Sequence, residues 1–286
     1  MIMANLKDIR ARITSVGSTM QITSAMKMVS AAKLKRAQDA ITQMRPYANK
    51  LRELLVNLSS TLDSAEGGEF SQQREVKKVL FVVINSNRGL CGAFNSNVIK
   101  KANAEIGNYQ NVSFLTIGKK ASEYFAKNGH QVVASHDDLY ADLTFENTSE
   151  IANTIMSDYV NGTYDKVVLF YNQFKNAASQ TVMAEPFLPV ETPSDDTATI
   201  GDYIFEPNKE EIVLDLIPKS LKIQLFKAVL DSHASEHGAR MTAMHKATDN
   251  AGELRKELKL TYNKARQAAI TGEILEIVGG AEALNN

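Results

Sequence analysis

The sequence has 286 residues, of which 44% are hydrophobic and 23% are charged, a composition typical of a globular chain with one large or two small domains. No stretch approaches the ~20 consecutive apolar residues of a membrane-spanning helix, so we expect no direct insertion into a membrane. The first residues lack the apolar core of a signal peptide, which makes secretion unexpected. The single cysteine, Cys91, excludes an internal disulfide and is typical of a reducing compartment.

The net charge of -1 is distributed unevenly along the chain. Residues 1–62 contain ten Lys or Arg against three Asp or Glu, a net charge of +7. Residues 63–207 carry a net charge of -8, and residues 208–286 are neutral. A basic arm beside an acidic middle region indicates an anionic partner for the arm, which could be a protein, a nucleic acid or a membrane surface.

Residues 1–62 are predicted to form an N-terminal coiled-coil helix, because their apolar residues recur in steps of three and four. These residues are Leu6, Ile9, Ile13, Val16 and Met20, then Leu34, Ala37, Ile41, Met44, Ala48, Leu51, Leu55, Leu58 and Leu62. Between the two runs, around Met20–Arg36, small, polar and Met residues interrupt the heptad pattern. Pro46 is expected to kink the helix, or to be tolerated where its missing hydrogen bond faces water.

Residues 75–195 are predicted to form a Rossmann-like, doubly wound α/β domain, because strand patterns alternate with helix patterns. The predicted strands are 76–84, 112–117, 131–135, 166–171 and 182–190. The predicted helices are 95–106, 119–127 and 148–160. The last strand carries Pro186 and Pro189, which favours a position at the edge of the sheet. Residues 191–209 are predicted to be a loop.

Residues 208–286 are predicted to form a C-terminal coiled-coil helix with a seam of smaller residues. The seam consists of Ala247, Ala251, Leu254, Leu258, Thr261, Ala265, Ala268, Gly272, Leu275 and Gly279. At ~1.5 Å per residue a 60-residue helix is ~90 Å long, whereas a domain of ~130 residues has a radius of gyration of only ~14 Å. We therefore expect the two terminal helices to pair as a long antiparallel coiled coil that projects beyond the middle domain.

The sequence HASEH at 233–237 matches the zinc-binding pattern of inverted zinc proteases. The i, i+4 spacing puts both imidazoles on one helical face, and Glu236 could act as a general base. The sequence offers no clear third ligand, so we interpret His233 and His237 as histidines that face solvent or a partner. A zinc hydrolase is the alternative function.

The sequence NSNRGLCG at 85–92 follows the first strand and precedes a helix, where a doubly wound fold places a phosphate-binding turn. Its glycines do not fit G-x-G-x-x-G, and the chain has no G-K-[ST]. We interpret the segment as a tight turn that packs against neighbouring elements. No cofactor and no metal is expected.

The basic residues near the N-terminus are the strongest charge signal. They are Lys7, Arg10, Arg12, Lys27, Lys33, Lys35 and Arg36. A solvated helix face is one interpretation, and a basic coiled-coil protein that binds nucleic acid is another. The arm has no interleaved aromatic residues and no groove-reading module, so an acidic protein surface fits better than nucleic acid.

Four separated motifs resemble those of the gamma subunit of F-type ATP synthase, in the same order and over essentially the whole chain. They are ITSAMKMVSAAKL at 22–34, RGLCG at 88–92, RMTAMHKATDNA at 240–251, and YNKARQ at 262–267 with ITGEILEIVGGA at 270–281. The inserted cysteine pair of the chloroplast type is absent, so thiol regulation is not expected. The His233 and His237 pair has no role that the resemblance implies.

The resemblance implies a non-catalytic central stalk, whose rotation couples transmembrane proton flow to ATP synthesis or hydrolysis. It implies partners that include the hexamer of alpha and beta subunits, the epsilon subunit and the c-ring, and no nucleic acid. It also implies a peripheral position at the cytoplasmic face of the bacterial inner membrane. Nucleotide chemistry would then occur on the hexamer, and this chain would need no cofactor.

Six residues match positions at which the family engages its partners. Met26, Lys27 and Lys33 correspond to positions that face the acidic lever of the beta subunit, and a basic collar suits such a surface. The remaining three, Arg240, Gln267 and Thr271, correspond to positions where the C-terminal helix engages loops of the catalytic subunits. The apolar residues near the end of the chain are expected to act as bearing contacts; they are Ile274, Leu275, Ile277 and Val278.

Overall fold

The computed structural model describes residues 2–59, 69–72, 74–190 and 209–284. Helix α1 (Ile2–Ser59) and helix α5 (Lys209–Leu284) enclose the other elements in sequence. Between them lie, in chain order, β1 (Lys78–Ile84), α2 (Phe94–Ile106), β2 (Asn111–Ile117), α3 (Lys119–Lys127), β3 (Val132–Ser135), a short 3-10 helix (Leu139–Ala141), α4 (Phe145–Val160), β4 (Lys166–Phe174) and β5 (Gln180–Leu188). The predicted loop at 191–209 lies outside the described residues except for its last position.

One five-stranded sheet organises the middle of the chain. Its strand order is β3-β2-β1-β4-β5, and the first four strands are parallel. β5 runs antiparallel to β4 at the edge, as its prolines predict. Each predicted strand and helix of this region is present, with boundaries that shift by at most a few residues.

Helices cover both faces of the sheet. Because successive side chains of a strand point to opposite faces, β1 contributes to the core on each side. Val79, Phe81 and Val83 of β1 belong to a core with residues of α2 and α3. The intervening side chains of β1 belong to a second core, which includes α4 and the part of α5 around Leu221 and Leu225. This arrangement confirms the predicted doubly wound α/β fold with long terminal helices.

Contacts divide the chain into two compact units. The helix-pair unit comprises Met1–Ser30 and Met241–Asn286, and the sheet unit comprises Ala31–Arg240. Both long helices therefore contribute to both units. The ranges 1–62, 75–195 and 208–286, predicted as domains from the sequence pattern, stay a prediction.

Helix α1 keeps its heptad pattern across the region where the sequence analysis placed a break. Thr23, Lys27 and Ser30 occupy the seam positions between Met20 and Leu34; Lys27 is half-buried and Ser30 is only 3% exposed. The seam thus continues in steps of three and four but changes from apolar to polar side chains, so the predicted failure of the heptad is wrong. The helix also continues through Pro46. Side chains at three later seam positions, Leu55, Leu58 and Leu62, lie outside the described residues.

Candidate functional site

Two contacts define the direction of the helices in the helix-pair unit. Thr23 Oγ1 lies 2.8 Å from Thr248 Oγ1, and a Cβ at Gly17 would lie 3.7 Å from Arg255 Nε. Between these two contacts the residue number rises from 248 to 255 on α5 and falls from 23 to 17 on α1. The two helices are therefore antiparallel, which confirms the predicted pairing.

The seam of α5 differs from the predicted one at several positions. Ala251 is buried, but Leu254 is 46% exposed, and Thr261 and Ala268 are also exposed, so these three do not face α1. The half-buried Arg255 lies beside Gly17 instead, with the aliphatic part of its side chain available for packing. A row of Ala and Gly has too little apolar contrast to distinguish two neighbouring rows of a helix, which explains the error in register.

The helix-pair unit leaves large apolar side chains exposed along both helices. On α1 they are Ile22, Met28 and Val29; on α5 they are Leu254, Leu260, Ile270, Ile274, Leu275, Ile277 and Val278. Large apolar side chains exposed in this number along a pair of helices are typical of a surface that contacts another protein. The predicted bearing residues are all in this set.

The predicted contact residues of α1 are accessible to differing degrees. Met26 and Lys27 are half-buried, and Lys33 is exposed. Lys27 Nζ lies 3.4 Å from His245 Nδ1 on α5. The structure thus places Lys27 at the edge of the seam beside α5 and leaves Lys33 open to solvent.

The predicted contact residues of α5 fall into two groups. Gln267 and Thr271 are exposed one turn apart, and the Thr271 hydroxyl donates to the Gln267 carbonyl at 2.9 Å. Arg240 differs from them, because only 8% of it is exposed and its guanidinium is engaged within the sheet unit. The three residues therefore do not form one surface in the described structure.

Arg240 belongs to a buried polar cluster on α5. Its Nη1 donates to Glu236 Oε1 at 2.6 Å, and the same nitrogen lies 3.5 Å from His237 Nδ1. His237 Nε2 in turn lies 3.0 Å from His233 Nε2. The ring of His233 stacks on the ring of Tyr140, which precedes α4.

The hydrogen bonds of this cluster determine the tautomers of both histidines. A guanidinium can only donate, so the His237 Nδ1 beside Arg240 is an acceptor and its Nε2 carries the proton. His233 Nε2 then accepts that proton, which leaves the hydrogen of His233 on Nδ1. Burial lowers the pKa of His233 to about 4 and that of His237 to about 3, and the positive charge of Arg240 acts in the same direction. Both rings are therefore neutral at pH 7.

The alternative of a zinc hydrolase conflicts with these contacts. The Nε2 of His237 is a donor to His233 rather than a free lone pair for a metal, and Glu236 is paired with Arg240. Burial raises the pKa of Glu236, against the opposing effect of that guanidinium. Among the described residues, no group of three or more His, Cys, Asp or Glu could hold a metal ion. His237 is only 5% exposed, so the expectation that this histidine faces solvent or a partner is wrong.

The turn after β1 presents carbonyl groups to a cation rather than amides to a phosphate. Arg240 Nη2 donates to the carbonyls of Arg88 at 3.0 Å and Gly89 at 3.3 Å. Asn87 Oδ1 accepts from the backbone N–H of Lys119, so it caps the first turn of α3. These contacts agree with the interpretation of this segment as a packed turn.

Two features of the site were not predicted, although local signals in the sequence indicate them. Counting the heptad through the polar stretch would have placed Thr23 and Ser30 in the seam. Leu90, a large apolar residue directly after Gly89, follows the carbonyls that Arg240 binds, and its side chain is exposed. No helix in the described part of the chain is long and apolar enough to span a bilayer.

Comparison with known proteins gives the same family over the whole chain. The profile of the family described as ATP synthase matches residues 5–284. The ATP synthase gamma chain of Flavobacterium johnsoniae is 66% identical over 286 residues, covering 99% of this chain and 100% of the relative. The ATP synthase gamma chain of Cytophaga hutchinsonii is 52% identical over 295 residues, covering 99% of this chain and 100% of the relative.

Solved structures support the fold. A chain of the Tetrahymena thermophila mitochondrial ATP synthase central stalk and c-ring has a TM-score of 0.60 and 26% identity, covering 79% of this chain and 99% of that chain. A chain of the Euglena gracilis mitochondrial ATP synthase has a TM-score of 0.72 and 20% identity, covering 98% of this chain and 95% of that chain. With antiparallel terminal helices, a doubly wound sheet and these relatives together, the chain belongs to the ATP synthase gamma-chain family.

Proposed function

We propose that the chain acts as the central rotor stalk of F1Fo ATP synthase and carries out no chemistry of its own. Its helix pair would turn inside the hexamer of alpha and beta subunits, and its sheet unit would bind the epsilon subunit and the c-ring. Rotation would couple transmembrane proton flow to the synthesis or hydrolysis of ATP on the hexamer.

The observation that carries this proposal is the apolar surface of the helix-pair unit. Ile277 at the C-terminal end of α5 is 71% exposed, and Ile22, Met28 and Val29 are exposed on α1. Two helices that already pair with each other still leave these side chains in water. A sleeve of partner subunits that encloses the pair would remove that apolar area from water, which stabilises the complex by about 25 cal/mol per Å².

The charges of α1 suit an acidic surface of the beta subunit. Lys33 is exposed, and Lys27 is half-buried beside the exposed Met28. Met26 lies next to these lysines along the chain. We propose that these side chains meet the acidic lever of the beta subunit, and that Gln267 and Thr271 contact loops of the catalytic subunits.

Arg240 would contribute to coupling from inside the sheet unit, since its guanidinium is already bound to Glu236 and to two carbonyls. The non-catalytic role is supported by the same cluster, in which the best candidates for acid–base chemistry are paired with each other. The bacterial gamma chains that this chain resembles support a peripheral position at the cytoplasmic face of the inner membrane.

A charge-reversal experiment tests the contact with the beta subunit. We expect the double variant Lys27→Glu/Lys33→Glu to lower the ratio of ATP-driven proton pumping to ATP hydrolysis in the assembled complex. Single exposed ion pairs contribute only about 0–1 kcal/mol, so the two changes are combined. The control is Lys100→Glu/Lys127→Glu, which reverses two exposed charges on α2 and α3.

The measurement is proton uptake into inverted vesicles alongside ATP hydrolysis by the same preparation. An unchanged ratio in the Lys27 and Lys33 variant would mean that steric contact, and not charge, transmits the torque. Substantial ATP hydrolysis by the purified chain alone would overturn the non-catalytic role. Failure of the chain to form a complex with alpha and beta subunits would overturn the proposal as a whole.

A further inference from the structure

Helix α5 carries polar side chains on the side that faces the last two strands of the sheet. Gln224 and Ser235 are separated by close to three full helical turns, so they lie on the same side of α5, about 16 Å apart along its axis. Ser235 is fully buried and Gln224 is half-buried. Burying such groups costs free energy unless they form hydrogen bonds, so their partners indicate what they do.

Gln224 binds the edge strand β5. Its Nε2 donates to Glu185 Oε1 at 2.8 Å and to the carbonyl of Pro186 at 3.1 Å. The other carboxylate oxygen of Glu185 accepts from the hydroxyl of Tyr171 in β4 at 2.5 Å. The sheet itself therefore holds Glu185 in place, and the amide of Gln224 meets an acceptor whose position does not depend on α5.

Ser235 binds the neighbouring strand β4, where its hydroxyl donates to the carbonyl of Asn172 at 3.0 Å. Shortly after it, Gly238 brings the backbone of α5 against the turn between β4 and β5. A Cβ at Gly238 would lie 3.1 Å from Ala177 Cα and 3.3 Å from the Ala177 carbonyl oxygen. A residue with a side chain would crowd this turn, so the close approach requires that α5 presents its glycine here.

Arg240 adds contacts from another direction. It lies about 140° around the helix from Ser235, and its guanidinium donates to the carbonyls of Arg88 and Gly89 in the turn after β1. Apolar packing has no preferred direction, whereas hydrogen bonds weaken steeply when their geometry changes. A rotation of α5 by about 20° would move a side-chain atom ~5 Å from the helix axis by about 2 Å, which breaks such bonds.

We propose that Gln224 and Ser235 are positioning residues that, together with Arg240, fix the rotation of α5 about its own axis relative to the sheet. Apolar side chains such as Leu225 hold the helix against the sheet, and the hydrogen bonds determine which way it faces. Torque on the sheet then reaches the rest of α5 without loss through axial slip. This use in coupling rests on the proposed function, whereas the rotational lock does not.

Two spin labels on the isolated full-length chain measure the rotation of α5. Lys219→Cys labels an exposed position of α5 and Lys127→Cys labels the exposed end of α3, while the chain's own Cys91 is buried and stays unlabelled. We expect Gln224→Met/Ser235→Ala to broaden the distance distribution between the labels about twofold, because the helix then samples several rotations. Double electron–electron resonance provides the measurement.

Two controls separate a loss of direction from a loss of stability. Leu225→Ala removes a fully buried apolar side chain of α5, so it should lower the denaturation midpoint more than the polar variant does, without broadening the distribution. Gln131→Met/Ser157→Ala makes the same polar changes at exposed positions outside α5 and should have no effect. An unchanged distribution in Gln224→Met/Ser235→Ala, or equal broadening in Leu225→Ala, would overturn the proposal.

The single substitutions Gln224→Met and Ser235→Ala each give a smaller broadening, and they answer the same question if the double variant does not fold. In the complex with immobilised alpha and beta subunits, the angular fluctuations of a bead on the sheet unit should increase in the double variant. Normal fluctuations there, with a broadened distribution in the isolated chain, would retain the lock and overturn its role in coupling. Failure to assemble with alpha and beta subunits would overturn the proposed function and leave the distance measurement valid.

Discussion

The sheet unit and the helix-pair unit satisfy their apolar residues in opposite ways. In the sheet unit, all the apolar side chains of β1 from Val79 to Ile84 are buried between two layers of helices. In the helix-pair unit, the buried apolar side chains among those described are Ile9, Met244 and Ala251. The first unit has a core of its own, and the second has a narrow seam with an apolar exterior. We infer that the sheet unit carries the stability of the chain and that the helix pair depends on its partners.

The largest expected effect lies in the sheet unit. Phe81→Ala removes a fully buried ring that packs edge-on against Phe114 and in tilted contact with Phe170. The free energy of unfolding should fall by about 3–5 kcal/mol, because a cavity remains where the ring was. Denaturant unfolding of the full-length chain measures this loss. A loss below about 1 kcal/mol would contradict the inference that the core of the sheet unit carries the stability of the chain.

A smaller effect is expected from the buried histidines of the sheet unit. Burial lowers the pKa of His237 in the folded chain to about 3, below its ordinary value of 6.5. The unfolded chain therefore binds more protons between pH 6.5 and about 3, and stability falls as the pH is lowered through that window. His237→Gln should reduce the loss of stability between pH 7 and pH 5 by about 2 kcal/mol.

Unfolding free energies of parent and variant at pH 7 and pH 5 provide the measurement. The raised pKa of Glu236 has the opposite effect on stability, because a carboxyl with a raised pKa in the folded chain favours folding as the pH falls. The comparison therefore stops at pH 5. The matched control is His245→Gln, which makes the same change at an exposed histidine of the helix-pair unit. An equal pH dependence in the parent and in His237→Gln would contradict the neutral, buried pair.

The smallest effect on stability is expected at the exposed end of α5. Ile274→Ser/Ile277→Ser should change the unfolding free energy of the isolated chain by less than about 0.5 kcal/mol, because both side chains are already in water. The same variant should weaken assembly with the alpha and beta subunits, measured by the yield of complex after gel filtration. Loss of stability without loss of assembly would contradict the inference that the apolar surface of the helix pair serves partner binding and not folding.

Most of the sheet unit was predictable, because its signals are local. A run such as KVLFVVI at 78–84 is long enough for a buried strand and too short for a typical helix, and the helices between strands show their own period. The two proline residues in and after β5 indicated an edge strand for a reason that needs no tertiary information. The helix pair was predictable in kind and in direction, but not in the register of α5.

The individual contacts of the candidate site were less predictable. The contact of Arg240 with a partner stays a prediction, and no sequence pattern indicated that its guanidinium binds the carbonyl of Gly89, 151 residues away in the sequence. His237 was expected to be accessible, yet the neighbouring elements bury it. No local pattern records which distant carbonyl or ring will approach a given side chain.

The sequence by itself determined the elements of this protein: two long heptad helices, five strands, their alternation with short helices, and a basic N-terminal arm. These follow from periodicity and charge, which each segment carries alone. The tertiary structure decided which row of α5 faces α1, how Thr23 and Ser30 continue the seam, and which backbone carbonyls Arg240 binds. Each of these depends on the approach of residues far apart in the chain, where small differences in packing and hydrogen bonding select one arrangement among several that the local pattern allows.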